Sequence, residues 1–174
     1  MLKARLMGAG TIIAIDRSDF RLQLAKDFLA DSVISLNGST QADRVQAVRD
    51  LTQGRGGDVI VECTGVAEAI PEGLEMARRG GAYFVAGVFA DVGDIPTNPH
   101  RHLLANQIRL YGMTNHPPTG YPSSLRLLNK FKTAYPLHRF VTHEFPVHAV
   151  DKAMAQAFDI DACMKVVLTP SSAS

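Results

Sequence analysis

Along the chain, short apolar runs alternate with stretches whose apolar residues recur at helical spacing. Thr11 to Ile15 (TIIAI) is β-branched, short and closed by Asp16, the pattern of a buried parallel strand. In Ser18 to Phe28, Phe20, Leu22, Leu24, Ala25 and Phe28 share one helical face, and Ser18 is placed to cap it. Ser32 to Leu36 reads as a second strand. Gln41 to Leu51 reads as a helix with Val45, Val48 and Leu51 inward, and QGRGG as a loop. Asp58 to Cys63 (DVIVEC) is a third strand, broken by Thr64-Gly65. Ala67 to Ala77 is a helix that carries Pro71 in its first turn. Gly80-Gly81 turns the chain into Ala82 to Ala86, a fourth strand. Strand and helix alternate throughout, which predicts parallel βαβ units wound right-handed.

The texture changes after Gly87. Ala90 to Pro99 is rich in turn formers. His102 to Asn106 reads as a short helix, Ile108 to Tyr111 as a strand ending at Gly112, and NHPPTGYP as a loop. Ser123 to Lys132 is a helix with a serine cap. Thr142 to Phe145 is extended, Val150 to Phe158 helical, Lys165 to Leu168 a last strand, and SSAS a tail. Gly8-Ala9-Gly10 looks like part of a G-x-G-x-x-G phosphate fingerprint. That fingerprint must follow a strand and open a helix. Here it follows the helical stretch LKARLM and precedes a strand, so it reads as a helix C-cap with a left-handed glycine.

Composition narrows the classes. A length of 174 residues suits one domain, or one large and one vestigial. With 46% hydrophobic and 20% charged residues the chain is globular rather than disordered. Lys plus Arg is 18 and Asp plus Glu is 17, which leaves no nucleic-acid footprint and no basic membrane patch. Two cysteines, Cys63 and Cys163, make neither a disulfide framework nor a four-cysteine zinc site. No apolar run approaches the ~18 residues of a membrane span, and MLKARLMGAG lacks a signal peptide's apolar core. A cytoplasmic protein is expected.

Candidate chemistry gathers at strand ends. An acid at the carboxyl end of a strand in a doubly wound sheet lies at the ligand edge. There Asp16 can accept both ribose hydroxyls of an adenosine and repel a 2′-phosphate, with Arg21 at the same corner. A capping acid and a solvated arginine are the plain alternatives. Thr64-Gly65 after DVIVEC lets a flat ligand approach the backbone. Gly87 and Val88 end the fourth strand, and Gly112, Met113 and Thr114 repeat the pattern one strand later. The six histidines form no metal-ligand spacing and read as surface or capping residues. Cys63 reads as a small buried hydrophobe. No G-x-S-x-G is present. No catalytic or metal residue is therefore assigned.

AIDRSDFRLQLAKDFLADSVISLN, GGDVIVECTG, RRGGAYFVAGVF, LYGMT and KVVLTP follow in the order seen in zinc-type medium-chain alcohol dehydrogenases, which the chain resembles from about Leu2 to Pro170. PEGLEMARRGGAYFVAGVFADVGDIPTNPH looks like a branch acting on cyclic or secondary alcohols. The resemblance implies an α/β fold with a Rossmann-like doubly wound parallel sheet that binds NAD. Asp16 matches the ribose-binding acid, Arg21 a basic residue beside the adenosine, and Thr64 and Gly65 the turn beside the adenine ribose. Gly87 and Val88, with Met113 and Thr114, match the strand ends that meet the nicotinamide carboxamide. Lys165 matches a basic residue near the pyrophosphate. It further implies a truncated NAD-binding domain over residues 1–140 and a return segment over 141–174 whose apolar face packs on a catalytic domain in relatives.

The departures shape the expectation. The first Rossmann strand, its glycine-rich loop and the catalytic half with zinc are missing from the match. Loss of two or three phosphate contacts, each worth ~1.5–3 kcal/mol, moves a micromolar site towards millimolar. The chain alone is expected to be inactive. The strand order places the missing strand centrally, between TIIAI and DVIVE. Those two strands are expected to close on each other directly or through a swapped dimer. Leu29 stands where relatives carry a helix-closing glycine, and a left-handed leucine would cost about 1–2 kcal/mol. Two other readings stand beside this one. One is an S-adenosylmethionine-dependent methyltransferase. The other is a non-catalytic module that forms a homodimer along Ile108 to Tyr111.

Overall fold

A computed structural model describes residues 1–115 and 117–170. The described chain is mixed α/β, and every strand pairing is parallel. One sheet pairs β1 (Ile13–Asp16) with β2 (Ser32–Ser35). A second orders β3 (Gly57–Glu62), β4 (Ala77–Val85) and β5 (Arg109–Gly112) side by side. A third pairs β6 (His143–Pro146) with β7 (Val166–Thr169). The helices are α1 (Leu2–Leu6), α2 (Asp19–Phe28), α3 (Gln41–Leu51), α4 (Ala69–Met76), α5 (Gly120–Phe131) and α6 (Val150–Ala157). Among the described residues no helix is long and apolar enough to cross a membrane. The expected SSAS tail, and His116 within the expected NHPPTGYP loop, lie outside the described residues.

The chain divides into two compact units. One holds Met1–Asn37 and the chain from Pro117 onward; the other begins at Gly38 and holds the chain between. In the first, Gly8 takes φ +92° just past α1, as the cap reading requires. Arg5 then ties this end to the rest of the unit. It donates to the carbonyls of Ala9 and Gly10 at 2.8 Å and pairs with Asp31 at 2.5 Å. Asp31 also accepts from the Ile12 amide at 2.7 Å. That amide and Arg5 hold the Asp31 carboxyl below its ordinary range. Ser18 caps α2 by accepting from the Arg21 amide, as its position predicts. Leu29 is not left-handed: its φ is −166°, extended backbone open to any residue. The strain expected there is absent, because Arg5 reaches the Leu29 carbonyl at 3.2 Å and the Ala30 amide closes on Ala25.

In the second unit the core is Ile70, Leu74, Ala77, Tyr83 and Ile108. α3 begins with a reciprocal capping box between Thr40 and Asp43. Val45 and Val48 point inward as the spacing predicts, but Leu51 is 42% exposed, because it closes the last turn beyond the packed face. β4 starts at Ala77, five residues earlier than the pattern predicts. Gly80-Gly81 does not precede this strand but lies within it. The ladder moves from Gly57 opposite Ala77 to Val59 opposite Ala82, so the glycines form an irregularity inside the strand. Of the two strands that flank the missing one, β1 pairs with β2 and β3 with β4. Val59 and Val61 on β3 are 60% and 55% exposed.

α5 begins at Gly120 with Thr119 in the cap position, and neither Thr119 nor Ser123 supplies a capping side chain. Ser123 lies inside the helix and donates to the Gly120 carbonyl instead. The apolar face expected from Val141 onward is exposed at Val147, Val150, Met154 and Phe158.

Candidate functional site

Two groups of predicted site residues exist, one in each unit. In the second unit the carboxyl ends of β3 and β4 meet at Glu62, which is 4% exposed. Its Oε1 accepts from the Thr64 amide, the Thr64 hydroxyl at 2.8 Å and the Gly65 amide at 2.8 Å. Its Oε2 accepts from the Gly87 amide at 3.1 Å. Burial pushes this carboxyl up, but the Thr64 hydroxyl and the amides of Gly65, Thr64 and Gly87 outweigh it and hold it below the ordinary carboxylate range. One side chain therefore joins Thr64, Gly65 and Gly87.

Backbone contact reinforces the joint. A Cβ on Gly87 would lie 2.5 Å from the Cys63 carbonyl carbon and 2.6 Å from the Gly65 amide nitrogen. A side chain larger than hydrogen cannot enter there. Gly65 has φ +73°, a conformation that favours glycine. Val88 follows with its side chain packed against the core. One strand over, the Met113 amide donates to the Val85 carbonyl at 2.9 Å, and Thr114 is exposed beside it. The backbone groups of Val88 and Thr114 carry no hydrogen bond among the described residues, which leaves them able to meet an amide-bearing ligand.

In the first unit, Asp16 ends β1. Its Oδ1 accepts from the Ser18 amide at 2.9 Å, which fixes the carboxylate as the chain turns into α2. Its second oxygen has no partner among the described residues. The capping alternative is thus half true: one oxygen closes a turn and the other stays available. Arg21 donates to the Cys163 carbonyl at 3.2 Å, tying α2 to the segment before β7. Its Nε is buried without a partner among the described residues. A buried unsatisfied donor is costly unless a ligand meets it. Lys165 is exposed two residues beyond Cys163. A cavity of about 310 Å³ in this unit is lined by Arg17, Asn37, Ile160 and Asp161.

Two predicted placements are corrected. Cys63 is exposed and lies one residue past β3, because the strand already ends at Glu62. His102 is not on the surface but 3% exposed. It is held by the Asn98 amide at Nδ1 and lies 3.5 Å from Glu75 at Nε2, and these polar partners make its burial possible. Reading the chain also missed Glu62, Arg17 and Asn37. The signal for Glu62 was its place as the last strand residue before Thr64-Gly65, where a charge needs several donors to be buried.

Parallel strands alternating with helices, with glycine turns and an acid at the strand carboxyl ends, define a Rossmann-like fold. The family model for zinc-binding dehydrogenases matches residues 1–130, and the chain belongs to that family. It is 32% identical over 154 residues to 5-exo-hydroxycamphor dehydrogenase of Pseudomonas putida, covering 88% of this chain and 42% of the relative. An alcohol dehydrogenase of Thermotoga maritima superposes with a TM-score of 0.89 at 30% identity, over 98% of this chain and 46% of that one. A fold neighbour from Sinorhizobium meliloti 1021, solved bound to NADP, has a TM-score of 0.82 at 23% identity, over 97% of this chain and 48% of its own. The chain spans about half the length of the relatives it matches. Among the described residues no three His, Cys, Asp or Glu side chains gather as a metal cage.

Proposed function

We propose that this chain is the coenzyme-binding portion of an NAD-dependent, zinc-type alcohol dehydrogenase, and that alone it binds coenzyme without turning over an alcohol. In the complete protein such a portion holds the nicotinamide that exchanges a hydride with the alcohol. The observation that carries the reading is Asp16. Its carboxylate is fixed at a strand end by the Ser18 amide and keeps one oxygen free to accept from ribose hydroxyls. A negative charge there also repels a 2′-phosphate, which favours NAD over NADP. Arg21, with its unpartnered Nε, serves the adenosine. Lys165 serves the pyrophosphate. Thr64 and Gly65 lie along the ribose, and the backbone at Gly87, Val88, Met113 and Thr114 takes the carboxamide. Both cysteines are free thiols, which fits a cytoplasmic setting. A homodimer along β5 belongs to the same reading.

Calorimetric titration of the purified chain with NAD and with NADP tests this. NAD is expected to bind more tightly than NADP. Asp16→Ala is expected to weaken NAD by about 10- to 100-fold, the loss of one or two hydrogen bonds to a charged acceptor. NAD affinity that Asp16→Ala leaves untouched would sink the assignment.

A further inference from the structure

We infer that Glu62 is a positioning residue: its carboxylate sets the distance between the 64–65 turn and the 87–88 turn, and so the fit of both to one dinucleotide. This rests on the coenzyme reading above. Every donor on Glu62 belongs to a residue of that reading, namely Thr64, Gly65 and Gly87. None of them is a neighbour on the same helix or strand. Three donors come from the chain just after β3, and the fourth comes from the end of β4, 25 residues away in sequence. Each oxygen serves one turn, Oε1 the first and Oε2 the second. The carboxylate is thus the side-chain brace between two loops that also meet through glycine backbone packing and through the Ala86 amide, which donates to the Glu62 carbonyl at 3.0 Å.

The division of labour between the oxygens makes the inference testable. A glutamine has one acceptor oxygen and one NH2 donor. In Glu62→Gln the oxygen goes to the side with three donors, and the NH2 faces the Gly87 amide, donor against donor. The variant should release the 87–88 turn while the 64–65 turn keeps its bonds. Glu62→Asp keeps the charge but is one methylene short, so it cannot reach both turns. It serves as the second variant if the glutamine form fails to fold.

Two measurements are made on wild type and both variants: amide hydrogen exchange without ligand, and titration with NAD and AMP. In Glu62→Gln the Gly87 amide is expected to exchange at least about tenfold faster, with the Gly65 and Tyr83 amides near wild type. NAD affinity should fall at least about tenfold while AMP affinity, which draws on Asp16, stays within about twofold. Glu62→Asp should also weaken NAD at least about tenfold. Equal protection of Gly87 in wild type and Glu62→Gln would overturn the brace. A released Gly87 with wild-type NAD affinity would overturn its role in coenzyme fit. A wild type that binds no NAD defeats the coenzyme reading from the first titration alone, and the exchange data still decide whether Glu62 holds the two turns.

Discussion

Glu62 is buried and yet held in its ionised form, a combination that a carboxylate tolerates only when donors replace the lost water. Four donors from the protein do so here, three of them backbone amides. This has a consequence for stability with a definite sign. The folded pKa lies below the unfolded value of about 4.3. The contribution of the charge is therefore present above about pH 4.3 and is lost as pH falls through the folded pKa. Glu62→Gln mimics the protonated side chain at every pH. Its urea midpoint is expected to lie below wild type at neutral pH and to approach wild type in acid. A gap that stays constant from neutral pH into the acid range would mean that shape, not charge, holds the turns. Asp16 differs: one of its oxygens remains free, so its charge is available for a ligand rather than consumed by the fold.

At the level of elements, the join between α3 and α4 depends on Arg44. This arginine is 9% exposed. It pairs with Glu72 in a fork, Nε to Oε1 at 2.6 Å and NH2 to Oε2 at 2.8 Å, and donates to the Ser39 carbonyl at 2.7 Å. The hydrogen bond to Glu72 raises the Arg44 pKa further despite burial. Removing one partner of such a pair leaves a buried charge alone, at a cost of about 3–5 kcal/mol, whereas replacing both with apolar residues is often neutral. Arg44→Met and Glu72→Leu are each expected to lower unfolding free energy by about 3 kcal/mol, and the double variant to recover most of it. Denaturant titration of the four proteins checks this; additive losses would mean that the two side chains act separately. Elements with a clean apolar period were legible in advance: α2 with its Ser18 cap, α3, α6 and the strand centres all stand where the spacing put them. Their polar joints were not. Arg44 reads as a solvated position on an amphipathic helix, because its partner is 28 residues away and no local pattern encodes it. The first half of β4 and the start of α5 were missed for a related reason. RRGG and GYP carry turn-forming residues, yet pairing with β3 in one case and a proline in a first helical turn in the other absorb them. Asp16, Thr64, Gly65 and Gly87 stand at or just past strand ends, as short apolar runs closed by small or acidic residues predict. Glu62, which joins three of them, was harder to read because one of its donors, the Gly87 amide, lies 25 residues away.

For the molecule as a whole, the open edge of β5 makes the proposed homodimer testable. Among the described residues β5 pairs with β4 alone, and all four of its residues are exposed. An open edge of this kind is a template for a second strand. Two copies meeting there about a two-fold axis would pair antiparallel and bury the same surface on both sides. With Tyr111 opposite its own copy, each Leu110 would face Gly112 and each Arg109 would face Met113, so the arginines stay apart and the aromatic pair sits at the centre. The direction of the backbone groups supplies a selective probe. The Met113 amide points at Val85 on β4. Alternation along the strand then directs the amides of Tyr111 and Arg109 to β4 as well, and those of Leu110 and Gly112 outward. Leu110→Pro thus removes an outward donor without touching the β4–β5 ladder. Sedimentation velocity at micromolar concentration is expected to show a dimer for the natural chain and a monomer for Leu110→Pro, with thermal midpoints a few degrees apart. A dimer that survives Leu110→Pro would put the interface on another surface, with the exposed Val59 and Val61 of β3 the next edge to substitute.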